Sequence, residues 1–173
     1  MFRPAAFAAY AALPMSELAD RGVSLPEAFG AGGKALEREV ALAPDVRAAI
    51  AAIEDFLRAR RPSPDPRVEK LTVIVDWMLA APVGTRVGEV AERHGLSPRG
   101  LQRLFRRYLG VGPKWVLQRY RLHEAAERIA SGRYREWAEV ALELGYADQA
   151  HFIRDFRAVI GLPPQAYAAA CRG

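Results

Sequence analysis

VGEVAERHGLSPRGLQRLFRRYLGVGP at residues 87–113 and WAEVALELGYADQAHFIRDFRAVIGLPP at residues 137–164 are two versions of one pattern. At a spacing of 50, Glu89, Val90, Ala91 and Gly95 return as Glu139, Val140, Ala141 and Gly145. At a spacing of 51, Arg103, Phe105, Arg106, Gly110 and Pro113 return as Arg154, Phe156, Arg157, Gly161 and Pro164. One residue has therefore been added to the second copy, in its turn. A slip inside a helix would swing its apolar face by about 100° away from the core, whereas a turn absorbs an insertion. The pattern is a duplicated supersecondary unit.

Each copy reads as helix, turn, helix. In the first, Val87 to His94 forms a short helix and Gly95 accepts the left-handed backbone that ends it. Ser97 followed by Pro98 supplies an N-cap and a proline at the first helical position, so a second helix starts at once. Along that helix Leu101, Leu104, Phe105 and Tyr108 fall at i, i+3, i+4 and i+7, one apolar stripe. Arg99, Gln102, Arg103 and Arg106 take the same spacing on the opposite side. A solvated face normally mixes charges so that i,i+4 pairs form. From Arg99 to Arg107 there are four arginines and no Asp or Glu. Such a stripe repels itself until a polyanion neutralises it, which points to nucleic acid.

In the second copy Trp137 to Leu144 forms the first helix, Gly145 the turn, and Asp148 the N-cap of the second helix. Phe152, Phe156, Val159 and Ile160 make its apolar stripe; Ala150, Arg154 and Arg157 lie opposite, with His151 at the edge. Ala150 offers at most contact to a thymine methyl, and Arg157 lies far enough along the helix to meet phosphate. The first copy is expected to carry more of the base discrimination.

These residues resemble the DNA-binding domain of the AraC/XylS family of bacterial transcription regulators. The resemblance runs from about Arg67 to Tyr167 and is most specific in GLSPRGLQRLFRRYLGVGP at 95–113 and LGYADQAHFIRDFRAVIGLPPQAY at 144–167. It implies an all-α fold of two helix-turn-helix units joined by a long helix, with the second helix of each unit in the major groove of double-stranded DNA. By position, the base-facing residues it implies are Arg99, Gln102 and Arg103 in the first unit and Ala150, His151 and Arg154 in the second. Arg106, Arg107 and Arg157 are expected on phosphates. Ala150, with Ile153 also apolar, departs from a strongly reading second unit. RNA polymerase is a further partner that a regulator of this kind implies.

The remaining sequence is consistent with that organisation. Residues 86–173 carry 15 Lys and Arg against 9 Asp and Glu, whereas residues 1–85 are net −1 within a chain of net +5. The positive charge belongs to the repeat half. Richness in Ala, Leu and Arg, with few alternating β-branched runs, predicts an all-helical protein with a substantial core. The linker helix starts at Pro113 and ends at Gly132. Its Leu122, Ala126 and Ile129 face the core, and Arg119 and Arg121 meet either phosphate or a nearby carboxylate.

PSPDP at 62–66 divides the chain into a small helical segment, 1–61, and a DNA-binding domain, 67–173. The domain contains a first helix-turn-helix at 87–109, the linker helix at 113–132 and a second helix-turn-helix at 137–160. Val68 to Ala80 forms a largely buried helix backing the first unit, because Leu71, Ile74, Val75, Trp77 and Met78 cover much of its circumference. Residues 4–61 read as short helices broken at Pro14, Gly22, Gly30 and Gly32, then a longer helix from Pro44 to about Arg60 with the stripe Val46, Ile50, Ile53 and Leu57. FRP at 2–4, SELAD at 16–20 and VSLPEAFG at 23–30 resemble the last stretch of a sensor domain in some regulators of the family. The chain is accordingly expected to be a shortened regulator, and no effector is implied.

Catalytic readings find little support. Gly30, Gly32, Gly33 and Lys34 faintly resemble a phosphate-binding loop, but the pattern needs Gly at 28 and Ser or Thr at 35, and both are Ala. His94, His123 and His151 share no metal-ligand spacing, so neither a metal nor another cofactor is expected. His94 is read as a favourable dipole partner in the last turn of its helix, and the single Cys171 as an incidental residue of a frayed C-terminus. No apolar run reaches bilayer length and no signal peptide is evident, so a soluble cytoplasmic protein is expected. The expected function is a non-enzymatic, sequence-specific transcription regulator. A protein-interaction adaptor docking an acidic partner through the arginine face, and a nonspecific nucleic-acid binder, are the alternatives.

Overall fold

The computed structural model describes residues 4–19, 21–134 and 136–172. It is all-α: among the described residues there is no strand. A 3-10 turn, Ala6–Ala9, precedes α1 (Met15–Leu18), α2 (Leu25–Phe29), α3 (Ala31–Ala41), α4 (Val46–Ala59), α5 (Pro66–Ala80), α6 (Val87–Arg93), α7 (Pro98–Leu109), α8 (Pro113–Ala130), α9 (Trp137–Glu143), α10 (Gln149–Ile160) and α11 (Pro164–Ala170). The chain gathers into two compact units. One holds the chain up to Asp76 together with Leu96–Gly112; the other holds Trp77–Gly95 and the chain from Pro113 onward.

The duplication is visible element by element. Ser97 caps α7 by accepting from the Gly100 N–H at 3.1 Å, and Asp148 caps α10 by accepting from the His151 N–H at 2.7 Å. Both caps hold an otherwise orphaned first-turn donor, which fixes where each recognition helix begins. The helices end alike, on Gly110 at φ 78° and Gly161 at φ 91°, a region that a side chain enters only with strain. The added residue lies in the turn, since four residues separate α6 from α7 and five separate α9 from α10. Val90 and Val140, Ala91 and Ala141, and Phe105 and Phe156 are buried pairwise.

In the first unit Ala28, Phe29 and Leu36 form a small core, with Phe7, Phe56 and Leu57 packed against it. The Phe29 ring meets Phe7 and Phe56 edge-on at 5.8 and 5.2 Å. Gly33 allows α2 and α3 to approach, because a Cβ there would overlap the Leu25 carbonyl oxygen. This glycine serves packing. Gly32 lies within α3 and does not break it, in contrast to the sequence expectation. Helix α4 begins at an Asp45 N-cap, but Val46 and Ile50 are 75% and 52% exposed. The first part of its apolar stripe is open to solvent, and at its end Phe56 and Leu57 pack against the core. Of the FRP start, Phe2 and Arg3 lie outside the described residues, as does Asp20 of SELAD.

Helix α5 buries Leu71, Ile74, Val75 and Met78 and leaves Val73 and Leu79 exposed, so one side of it stays open to solvent. It starts where PSPDP ends: Pro66 takes the first position and Asp65 accepts the Arg67 N–H at 2.9 Å. Asp65 also accepts the Tyr108 hydroxyl at 2.6 Å, tying the break to α7.

The second unit is built on α8, whose Leu122, Ala125, Ala126 and Ile129 join Val140, Leu144, Phe152 and Phe156 in one core. The sequence reading missed α11. Its Pro-Pro start reads as a break and AYAAA lacks an apolar stripe, yet Ala168 is buried and Tyr167 meets Phe156 edge-on at 5.7 Å. Cys171 is exposed, but its N–H bonds to the Tyr167 carbonyl at 3.0 Å, so it closes α11 instead of fraying. His94 ends α6 with its ring edge-on to Trp77 at 5.6 Å.

Candidate nucleic-acid interface

Helix α7 separates its faces cleanly. Leu101, Phe105 and Tyr108 are buried, whereas Arg99, Gln102, Arg103, Arg106 and Arg107 are exposed. Some arginines elsewhere find carboxylates. Arg58 bridges Glu54 and Asp55, Arg67 pairs with Asp65, and Arg128 pairs with Glu124 and Glu143. Among the described residues none of Arg99, Arg103, Arg106 and Arg107 is in an ion pair, and Arg107 instead lies 5.7 Å from the Tyr108 ring centroid. Four guanidinium groups along one face raise the local potential and leave their donors to solvent or a ligand.

Gln102, Arg103, Arg106 and Arg107 line a groove of about 1,040 Å³ whose opposite wall is formed by residues 8–16. Sequence periodicity held no sign of this wall. It is close: a Cβ on Gly110 would overlap the Met15 carbonyl oxygen. Asp65 also lines the groove, but its carboxylate is committed to Tyr108 and Arg67. Those bonds, the Tyr108 hydroxyl first, hold its pKa down to about 2 from 3.8. Desolvation by burial, and after it the bond to Asp65, raises the Tyr108 phenol.

On α10 the predicted residues Ala150, His151, Arg154 and Arg157 are all exposed. His151 is held within the unit, its Nε2 3.3 Å from Asp155 Oδ2 and its ring edge-on to Tyr146 at 5.2 Å. Asp155 also accepts from Gln118 Nε2. Burial pushes the Tyr146 phenol up to about 12. Arg154 and Arg157 form no ion pair among the described residues.

The two arginines left open on α8 make other contacts within the chain. Arg121 Nη2 donates to the Thr85 carbonyl at 2.9 Å, and Arg119 stacks over Trp115 at 5.2 Å. Neither meets a carboxylate among the described residues.

A short helix, a glycine turn and a second, side-chain-capped helix with one polar face, present twice, define a helix-turn-helix protein. Residues 90–170 match the family model described as a helix-turn-helix domain. The chain is 31% identical to the regulatory protein PocR of Salmonella typhimurium over 111 residues, 62% of this chain and 35% of PocR. It is also 31% identical over 81 residues to an uncharacterized HTH-type transcriptional regulator of Haemophilus influenzae, covering 47% of this chain and 27% of the relative. The chain thus spans about a third or less of the curated relatives' length.

Among solved structures, it is similar to a transcriptional regulator with an AraC-type DNA-binding domain from Chromobacterium violaceum. The TM-score is 0.55 at 27% identity, over 60% of this chain and 92% of that one. A probable AraC family regulator from Rhodopseudomonas palustris shares the fold, with a TM-score of 0.55 at 23% identity over 63% of this chain and 100% of that one. Residues 90–170 thus form a helix-turn-helix domain, and the fold is like that of the solved AraC-type DNA-binding domain. Among the described residues no helix is long and apolar enough to cross a membrane.

Proposed function

We propose that the chain is a sequence-specific transcription regulator of the bacterial cytoplasm that reads two successive major grooves, with residues 67–173 as its DNA-binding part, residues 1–61 as a helical segment from a sensor region, and RNA polymerase as a partner. In this reading Arg99, Gln102 and Arg103 face bases in the first groove and Ala150, His151 and Arg154 face the second. Arg106, Arg107 and Arg157, further from their helix N-termini, lie on phosphates.

The observation that carries the reading is the arginine face of α7: four exposed arginines on one helix that has no Asp or Glu, in no ion pair among the described residues. The length of α8 supports the two-groove geometry. Its 18 residues make a rod of about 27 Å, which with the turns flanking it suits the ~34 Å repeat of one DNA turn. Arg103 tests the proposal. A bidentate contact to guanine discriminates by about 1–3 kcal/mol, so Arg103→Ala lowers affinity for the selected duplex roughly ten- to a hundredfold while scrambled DNA is bound nearly as before. Equal affinity of variant and wild type for the selected duplex would remove Arg103 as a base reader.

A further inference from the structure

Helix α10 is a poor base reader by composition. Ala150 has no polar atom to offer, Ile153 is half-buried, and His151 is engaged by Asp155 and Tyr146. Binding energy for the second unit must come from elsewhere on the same surface. Beside His151 lies a cleft of about 520 Å³ between the Thr85–Arg86 turn, α8 and the α9–α10 turn. Arg86, Lys114 and Arg121 line it, and among the described residues no Asp or Glu does. A second cleft along α8, about 250 Å³, is lined by Glu124 and Glu127 as well as by Arg121 and His123. The two clefts along α8 thus differ in their carboxylates.

The three cations differ in how they are held. Arg121 is fixed, with Nη2 on the Thr85 carbonyl at 2.9 Å and Nη1 4.0 Å from where a Cβ on Gly145 would stand. Its remaining donors are oriented before any ligand arrives, which lowers the entropy lost on binding. Arg86 and Lys114 are exposed and, among the described residues, in no ion pair. Tyr146, in the same wall, stays neutral because burial pushes its phenol to about 12, and so adds no negative charge.

We infer that this cleft is a phosphate site: Arg86, Lys114 and Arg121 clamp a backbone phosphate of the DNA, and the second unit holds the duplex chiefly by its backbone. One fixed and two exposed cations lining a single cleft suit a phosphoryl oxyanion. The chemistry alone is shared by a phosphodiester and a free phosphate compound. The position beside His151 of the second recognition helix assigns it to the duplex.

The inference rests on the DNA-binding reading above, and the test separates the two. Wild type, Lys114→Ala, Arg86→Ala and Arg103→Ala are titrated with the selected and a scrambled duplex from 50 to 200 mM salt. Each phosphate contact contributes about 0.9 to the log–log salt slope. Lys114→Ala and Arg86→Ala should weaken both duplexes by the same factor. Each variant should also lose about 3.5-fold less affinity than wild type across that salt range. An unchanged slope in both variants, or a loss confined to the selected duplex, overturns the clamp. If Arg103→Ala retains its selective effect in that case, only the clamp fails; if Arg103→Ala has no selective effect, the reading of α7 fails independently. Inorganic phosphate is added without DNA and followed by the amide resonances of Gly145 and Tyr146. Saturation that requires Lys114, combined with an unchanged DNA salt slope, would assign the cleft to a free phosphate compound and overturn the assignment to DNA. Both substituted residues are exposed, and an unchanged melting temperature confirms that each variant is folded.

Discussion

Replacing Phe156 with alanine removes a ring that is 0% exposed and lies at the centre of the second unit. It packs 5.6 Å from the Phe152 ring and 5.7 Å from Tyr167, and so joins α10 to α11. Truncating a buried Phe costs about 3–5 kcal/mol in lost transfer energy and cavity formation. The two aromatic contacts, each worth about 0.5–1.5 kcal/mol beyond area burial, place Phe156→Ala toward the upper end. For a chain of this size about 1 kcal/mol moves the melting temperature by roughly 2–4 °C, so a drop on the order of 10–20 °C is expected. Phe105, also 0% exposed at the matching position of the first copy, should cost a similar amount. Urea titrations of the two variants, with free energies and m-values compared to wild type, measure both. A loss below about 1 kcal/mol for either variant would refute the assignment of the duplicated phenylalanines as core residues.

Arg106→Ala and Arg107→Ala should each weaken selected and scrambled DNA alike and lower the salt slope by about 0.9; a loss on the selected duplex alone would make them base readers. Gly110→Ala and Gly161→Ala both place a side chain in the left-handed region, costing about 1–2 kcal/mol. Only the alanine at 110 would strike a neighbour, the Met15 carbonyl oxygen, so Gly110→Ala should be the more destabilising in thermal melts, and equal costs would exclude that close approach. The Asp65 carboxylate is held at about 2 against 3.8, a depressed value, so its stabilising effect is full above pH 4 and is lost as pH falls from about 4 to about 2. Urea midpoints across that window should fall more steeply in wild type than in Asp65→Asn; parallel curves would mean that the bonds to Tyr108 and Arg67 contribute nothing.

Much of the repeat half was legible because its signals are local. Ser97 and Asp148 cap helices through N–H groups three residues away, Gly95 and Gly145 end helices through their own backbone, and the stripe of α7 repeats at helical spacing. These features need no knowledge of what packs where. Tertiary partners were not legible. Nothing in the spacing shows that residues 8–16 wall the groove beside Arg103, that Asp65 accepts the Tyr108 hydroxyl, or that Arg121 turns to the Thr85 carbonyl. The stripe of α4 illustrates the same limit from the other side: the periodicity of Val46, Ile50 and Ile53 is present, but Val46 and Ile50 stay exposed among the described residues, and amphipathicity alone does not say whether a face is occupied. Helix α11 escaped notice because alanine repeats carry helix propensity without a periodic face.

Sites selected by the protein from random duplexes, with the bound species shown to be one monomer per duplex, test the central claim most directly. Two unequal readers in one chain predict an asymmetric site of about 15–20 base pairs, with strong base preference under Arg99, Gln102 and Arg103 and weak preference in the half held by α10. A palindrome bound only by dimers, or a site confined to a single groove, would contradict it.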